Sequence, residues 1–489
     1  MGVVSSLHRV EVHGYSFCDT FGIVRMHDNQ VLIVSKQALF DPLVDKINSS
    51  HKNDLCPSSA STCDLNKVSL SCNKSIHTLV EPCENQGNGQ LQDMSVEEIM
   101  TRSKLLHMNA GNGECSYASS STLQREVIQQ AKPVLEDAIK KMFNNIGEFP
   151  KCFNMSDLGC SSGPNTLYTV LNIIKIVQML CHDKRCKMTE FQAYLNDLPD
   201  NDFNTIFKTI PSFYKNLKQA DDGANCFVSG VPGSFYERLF PSKSLHLVHS
   251  SYSLHWLSKA PENIENNNNI YITRTSPPPV FEGYMKQFEK DFSRFLQLRS
   301  EEIVTGGLML LTFIGRSIPD PYGNDTAHLD LLSKSLIDLI HEVEYFASAY
   351  NFLLAPSNSL EIALIVFITL LQGLIEQAEL DSFDYPFYAP YKDEVETIVQ
   401  TEGSFYLDTI KLFQVNWDER DDDDDVCFDA YSSGKHVART MRAVLEQMLV
   451  GHFQLGDSVV DSLFERWASD LPFLSFNFIT LFFRQVLDL

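Results

Sequence analysis

Between Cys152 and Phe313 the chain alternates two kinds of segment, and this alternation restricts the fold more than any other feature. Short apolar runs occur at Cys152-Phe153-Asn154-Met155, Phe191 to Leu195, Cys226-Phe227-Val228, Leu245 to Val248 and Leu308 to Phe313. Each has strand length and several close on turn residues. Helix-like stretches lie between several of them. Tyr284 to Ile303 carries Phe288, Phe292, Phe295 and Leu296 at helical spacing, and upstream Val127 to Phe143 repeats Val127, Ala131, Leu135, Ala138 and Met142 along one face. Strands joined through helices fold as an α/β domain with a mostly parallel sheet, because a parallel pair needs a crossover between its members. Such sheets bind ligands beyond the C-terminal ends of their strands. The residues that close each run are therefore the candidates for chemistry.

The first run is followed by Asp157-Leu158-Gly159-Cys160-Ser161-Ser162-Gly163-Pro164-Asn165 and then by a helix-like stretch, Leu167 to Leu180. Glycines let the backbone approach a ligand, and a helix start offers free N–H groups to a carboxylate. The dinucleotide fingerprint G-x-G-x-x-G is matched poorly, since the first two glycines stand four positions apart. An acid-led turn of this kind suits S-adenosylmethionine better than NAD. Taken alone, it is equally compatible with a plain structural turn. The second run ends in Asn196-Asp197-Leu198-Pro199, whose acid can accept two ribose hydroxyls or cap a turn. After the third comes Gly230 to Tyr236, with Phe235 offering a flat face to a purine, and after the fourth His249 to Trp256, able to wall an apolar pocket. H-E-x-x-H and Walker motifs do not occur.

With 39 Lys and Arg against 63 Asp and Glu, the formal charge of −24 repels nucleic acid and anionic membranes. Twelve cysteines contain no C-x-x-C pair, and no basic-apolar-small leader opens the chain, so a reducing, cytoplasmic setting is expected. The apolar run Ile362 to Leu371 is too short to span a bilayer.

The four turn motifs, in this order, resemble those of the SABATH family of plant S-adenosylmethionine-dependent methyltransferases. Further blocks carry the resemblance: Gly113 to Ala118, Ser250 to Ser258, Gly306 to Arg316, Glu402 to Phe405 and Met441 to Val444. It runs, with interruptions, from about Leu105 to Ala468. It implies a Rossmann-like methyltransferase sheet with a helical cap, a homodimer, and a reaction that methylates the carboxylate of a small plant metabolite. Transferred position by position, Tyr117 and Ser121 would lie near the cofactor, and Asp157, Cys160 and Asn165 would hold its amino-acid end. Asp197 would bind the ribose, with Leu198, Ser234 and Phe235 around the adenine. Gln124 and Trp256 would donate to the substrate carboxylate, with Tyr252 and His255 lining its pocket. A magnesium position of some relatives is matched by Asn266, Asp381, Phe383 and Asp384. His255 stands where salicylate-preferring relatives commonly carry Met, which directs the expectation to a jasmonate-like or other non-salicylate acid.

The chemistry needs no base, since a carboxylic acid is already ionised at neutral pH. The domain reading is an atypical, weakly ordered extension over 1–98, a cofactor-binding core over 99–340, an atypical apolar insertion over 341–372, cap and remaining core over 373–470, and an atypical apolar tail over 471–489. Loss of a terminal strand to that tail would expose a sheet edge. Two alternatives follow: an isoform that binds cofactor without turnover, and an N-methyltransferase acting on xanthines.

Overall fold

The computed structural model describes strands within 11–35 and residues 106–485, except 147–148, 220–224, 263, 267–268, 324, 326, 354–374, 376, 417–429 and 472–474. The chain divides into two units, Met1–Gly89 and Gln90–Leu489. In the first, β1 (Glu11–Val12) pairs with β2 (Tyr15–Ser16), and β3 (Phe21–Arg25) with β4 (Val31–Ser35), both antiparallel. The run Val31–Val34, read as a strand, lies in β4. The expectation of a weakly ordered extension otherwise falls on residues outside those described.

In the second unit α1 (Tyr117–Ser120) and α2 (Thr122–Ile146) precede β5 (Cys152–Leu158). Then follow α3 (Asn165–Lys184), β6 (Glu190–Asp197), α4 (Phe203–Gln219), β7 (Cys226–Pro232) and β8 (Leu245–Ser251). Helix α5 (Pro278–Glu302) leads into β9 (Ile303–Ile314), and α6 (Ala327–Leu353) and the short α7 (Gln377–Asp381) come next. The last elements are α8 (Lys392–Glu402), β10 (Phe405–Asn416), α9 (Ala430–Phe453), α10 (Asp457–Asp470) and β11 (Ser475–Gln485).

Seven strands form one sheet in the order β10-β11-β9-β8-β5-β6-β7. The pairs β5–β6, β5–β8, β6–β7 and β8–β9 are parallel, as the alternation of strands and helices requires. The inner strands β5, β8, β9 and β11 are largely buried on both faces. In β9, Leu308 and Leu310 feed one apolar cluster while Met309, Leu311 and Phe313 feed the other. Side chains alternate across a strand, so such a strand reads as an uninterrupted apolar run.

The C-terminal residues correct one expectation. Ser475–Gln485 does not leave an edge uncovered: it inserts antiparallel between β9 and β10, with Phe478 opposite Ile314 on one side and Phe413 on the other. Thr312 and Thr480 hydroxyls share a hydrogen bond of 2.9 Å, and the Phe413 and Phe478 rings stack at 5.6 Å. The apolar character of the segment has a physical cause, since a strand flanked on both edges and covered on both faces has no solvated side. The insertion expected from 341 begins as a continuation of α6, which runs unbroken to Leu353. Residues 354–372 lie outside those described.

Phe478 is fully buried, so Phe478→Ala is expected to cost about 3–5 kcal/mol. Removing residues 475–489 is expected to abolish cooperative unfolding altogether. Urea denaturation followed by tryptophan fluorescence checks both, and an unchanged midpoint would show that β11 does not hold the sheet.

Candidate functional site

The C-terminal ends of β5, β6, β7 and β8 meet at one cavity. Eight of the residues selected from sequence line it: Tyr117, Asp197, Leu198, Ser234, Phe235, Tyr252, His255 and Trp256. The cavity also takes Leu106, Met108, Ser161, Ser253 and Val444, which were not selected as site residues. Leu106, Met108 and Val444 are apolar, and nothing in their residue type marks a site. They arrive through the fold. Asn109 donates its backbone N–H to Ala443 O at 2.9 Å and its side-chain amide to Glu446 Oε2 at 2.8 Å, which ties the 106–117 segment to α9 over the cavity.

Backbone geometry makes the turn after β5. Gly159 has φ +75°, and a Cβ there would stand 2.1 Å from Ser253 Oγ, so only glycine fits. Its N–H and that of Cys160 both donate to Asn196 O at 2.9 Å. The Asn196 side chain, fully buried, donates in turn to Val231 O at 2.8 Å and Gly233 O at 2.9 Å. One asparagine thus joins the turns that follow β5, β6 and β7. Ser161, at φ +51°, donates its N–H to Asp197 Oδ2 at 2.7 Å, and its hydroxyl is buried without a partner among the described residues.

Asp197 is the acidic end of the cavity. Burial pushes its carboxyl up to about 6, against the lowering effect of N–H donors from Ser161 and Leu198. At the other end the walls are aromatic and uncharged. Tyr252 sits in the left-handed region at φ +64°, its N–H donating to Thr312 O at 2.8 Å, with its ring 5.3 Å from His255 and 5.4 Å from Phe478. A bulky residue held there stores strain, which neighbouring packing must sustain. His255 is fully buried and desolvation lowers its pKa to about 3, so it is neutral near pH 7. Its Nδ1 accepts from the Ile314 N–H at 3.4 Å. Trp256 packs against Tyr385 at 5.3 Å, bringing the 385–387 stretch behind the wall.

The other selected residues stand behind the cavity or apart from it. The Asn165 amide donates to Ser121 O and Oγ at 2.9 and 3.1 Å, pinning the start of α3 to the start of α2. Cys160 is buried, and desolvation raises its thiol well above the usual range. Asp157 is buried with Oδ1 2.7 Å from His249 Nδ1. Gln124 is buried in the first turn of α2, its Oε1 lacking a partner among the described residues. The loop after β7 is held from beneath by a charge pair that the sequence did not single out. Fully buried Arg299 donates to Phe235 O and Glu237 O at 2.9 Å and to Glu302 Oε1 at 3.0 Å, and Glu302 accepts the N–H groups of Leu239 and Phe240.

A family model described as SAM dependent carboxyl methyltransferase matches residues 103–346 and 360–475. A probable methyltransferase of Theobroma cacao is 42% identical over 377 residues, covering 75% of this chain and 93% of the relative. Probable jasmonic acid carboxyl methyltransferase 2 of the same plant is 41% identical over 378 residues, covering 75% and 92%. The salicylate/benzoate carboxyl methyltransferase of Arabidopsis thaliana is 41% identical over 368 residues, covering 75% and 87%. Among solved structures, loganic acid methyltransferase with SAH superposes with a TM-score of 0.61 at 27% identity, over 78% of this chain and 99% of that one. The gap in the family match, 347–359, falls inside the segment read as an insertion, and the match stops at 475, where β11 begins.

Two outcomes follow. Glu302→Ala leaves Arg299 buried and unpaired and is expected to cost about 3–5 kcal/mol in urea denaturation. Buried His255 and His328 both have pKa values lowered to about 3 by desolvation. Each protonates more readily unfolded than folded, so stability present above the unfolded pKa of about 6.5 is lost as pH falls toward 3. Replacing either with Phe is expected to flatten that slope by up to one proton, read from denaturation midpoints between pH 4 and 7.

Proposed function

The chain belongs to the family of SAM-dependent carboxyl methyltransferases, and on that premise we propose that it converts a small carboxylic acid, jasmonate-like or otherwise not salicylate, to its methyl ester. One observation carries the reading. A single cavity joins a ribose-type acid, Asp197, to an uncharged aromatic wall of Tyr252, His255 and Trp256. The cofactor end fits S-adenosylmethionine, because Gly159 lines the cavity without a side chain and the Ser161 hydroxyl is buried without a partner among the described residues.

Asp197 accepts the ribose hydroxyls on lone pairs that Ser161 and Leu198 leave open, with Leu198, Ser234 and Phe235 packing around the adenine. Asp157 and Asn165 serve the amino-acid end. S-adenosylmethionine, when bound, supplies a methyl group on a positively charged sulfur. The acid enters as a carboxylate, held by the Trp256 indole and the Gln124 amide. Gln124 does not line the cavity, so its donation needs a side-chain rotation. With both held there, a carboxylate oxygen would displace the sulfur from the methyl carbon, the carbon–sulfur electron pair passing to sulfur. No proton moves, so the protein supplies alignment and a dry pocket in which opposite charges combine. Neutral His255 matches that demand, since it shapes the wall without drawing the carboxylate away.

Magnesium carries no step. Asn266 Oδ1 accepts from Ser276 Oγ at 2.6 Å, and its amide donates to Asn269 O and Tyr271 O at 2.9 Å. Asp381 is exposed and bonded to Gln377, and Phe383 packs on His452 and Phe453. The Asp384 carboxyl is pushed up by burial to about 6. These positions fit a hard cation poorly, and no group of three His, Cys, Asp or Glu side chains able to hold a metal occurs among the described residues. We extend the proposal to a cytoplasmic homodimer; free thiols at Cys152, Cys160 and Cys226 support the reducing compartment.

Radiolabelled S-adenosylmethionine with a panel of jasmonate, salicylate, benzoate, loganate, indole-acetate and a xanthine tests the reading. Label is expected on a non-salicylate acid, with kcat/KM falling about a hundredfold in Trp256→Ala. Cofactor binding without label on any acid would favour the non-catalytic isoform, and label on the xanthine the nitrogen-directed reading. Cofactor affinity is expected to fall about fivefold between pH 6 and pH 5 as Asp197 protonates, and Asp197→Asn to remove that dependence, both read by calorimetry.

A further inference from the structure

The turn after β5 is gripped residue by residue from the β8 side. His249 Nδ1 lies 2.7 Å from Asp157 Oδ1, Ser250 Oγ donates to Leu158 O at 2.8 Å, and Ser253 Oγ donates to Gly159 O at 3.2 Å. Two of these contacts hold backbone carbonyls. The third holds a side chain, and it is the carboxylate assigned above to the cofactor's ammonium.

Strand register produces that contact. Asp157 pairs with His249 across the parallel β5–β8 ladder, which sets both side chains on one face near the ends of their strands. Both are buried, with 9% and 4% of their side-chain surface exposed. An ionised carboxylate only accepts, so Nδ1 is the donor and the imidazole is fixed by the bond. A buried carboxylate with one oxygen anchored cannot rotate away from a ligand, and its other oxygen stays free to accept. Asp157 also stands close enough to Tyr117 and Asp197 for its charge, after burial, to raise the pKa of both cavity residues. The carboxylate therefore stands behind two cavity residues, with His249 holding one of its oxygens.

We infer that His249 is a positioning residue for the cofactor: its Nδ1–H orients the Asp157 carboxylate to receive the ammonium of S-adenosylmethionine. The inference rests on the cofactor reading above. It also gives the 249–256 segment two tasks, since the stretch that begins by aiming the cofactor's acid ends by walling the substrate.

The test compares two ligands by calorimetry. S-adenosylhomocysteine carries the amino-acid end, whereas 5′-methylthioadenosine keeps the adenosine and lacks it. His249→Phe is expected to weaken S-adenosylhomocysteine about tenfold, the scale of one hydrogen bond to a charged group, and to leave methylthioadenosine within about twofold. His249→Asn, whose amide can donate to the same oxygen, is expected to restore most of the loss. In an Asp157→Asn background His249→Phe is expected to add less than about twofold, because the two residues act as one unit. Should the phenylalanine variant not fold, His249→Ala carries the same comparison. Equal weakening of both ligands, or no weakening of either, overturns the inference and leaves His249 a structural residue. Failure of the unsubstituted protein to bind either ligand would instead overturn the cofactor reading itself.

Discussion

The sheet closes through one antiparallel insertion. Among the described residues β10 has β11 as its strand partner, and β11 reaches the parallel strands through β9. The pairing joins residues near 478 to residues near 314 and 413, so the loop-closure entropy of long stretches is spent before the sheet is complete. Phe478 sits at the junction. It stacks on Phe413 of the outer strand and packs on Tyr252 of the cavity's aromatic wall, whose left-handed backbone needs support. A strand far from the glycine turn in sequence thereby holds one side of the site. An apolar C-terminal segment is what this place in the sheet demands.

The site itself is assembled by polar groups that have no freedom to be anything else. Asn196 accepts from one turn and donates to another, and Arg299 with Glu302 holds the loop carrying Phe235. All three are fully buried, where an unmet donor or charge costs more than its bond returns. Such residues stabilise little in net terms, but any alternative path of these loops strands them without partners. The cavity inherits its shape from that constraint. One wall of that cavity is uncharged, since desolvation keeps the buried His255 neutral near pH 7.

Much of this was legible beforehand. The alternation of apolar runs with helical stretches led to the parallel strands, because a sheet buried on both faces must be apolar on both. Gly159 after β5, Asp197 at the end of β6, and the aromatic group after β8 marked the cavity, because such residues at strand ends point to a ligand. The antiparallel pair was not legible. Phe405–Asn416 mixes Tyr406, Asp408 and Lys411 with apolar residues, as an edge strand does, and Ser475–Gln485 read as a foreign tail. Strand pairing is a long-range choice with no local signature of its partner.

The sequence by itself determined the fold class and the strand-end residues, since these follow from periodicity and residue type, and its family resemblance implied a chemistry that needs no base. Only the tertiary structure decided which of those residues face one cavity, which stand behind it, and that Leu106, Met108 and Val444 close it. It also decided that His249 grips Asp157 and that β11 supports Tyr252. Each of these depends on register between distant segments, and register is set by packing the whole chain at once.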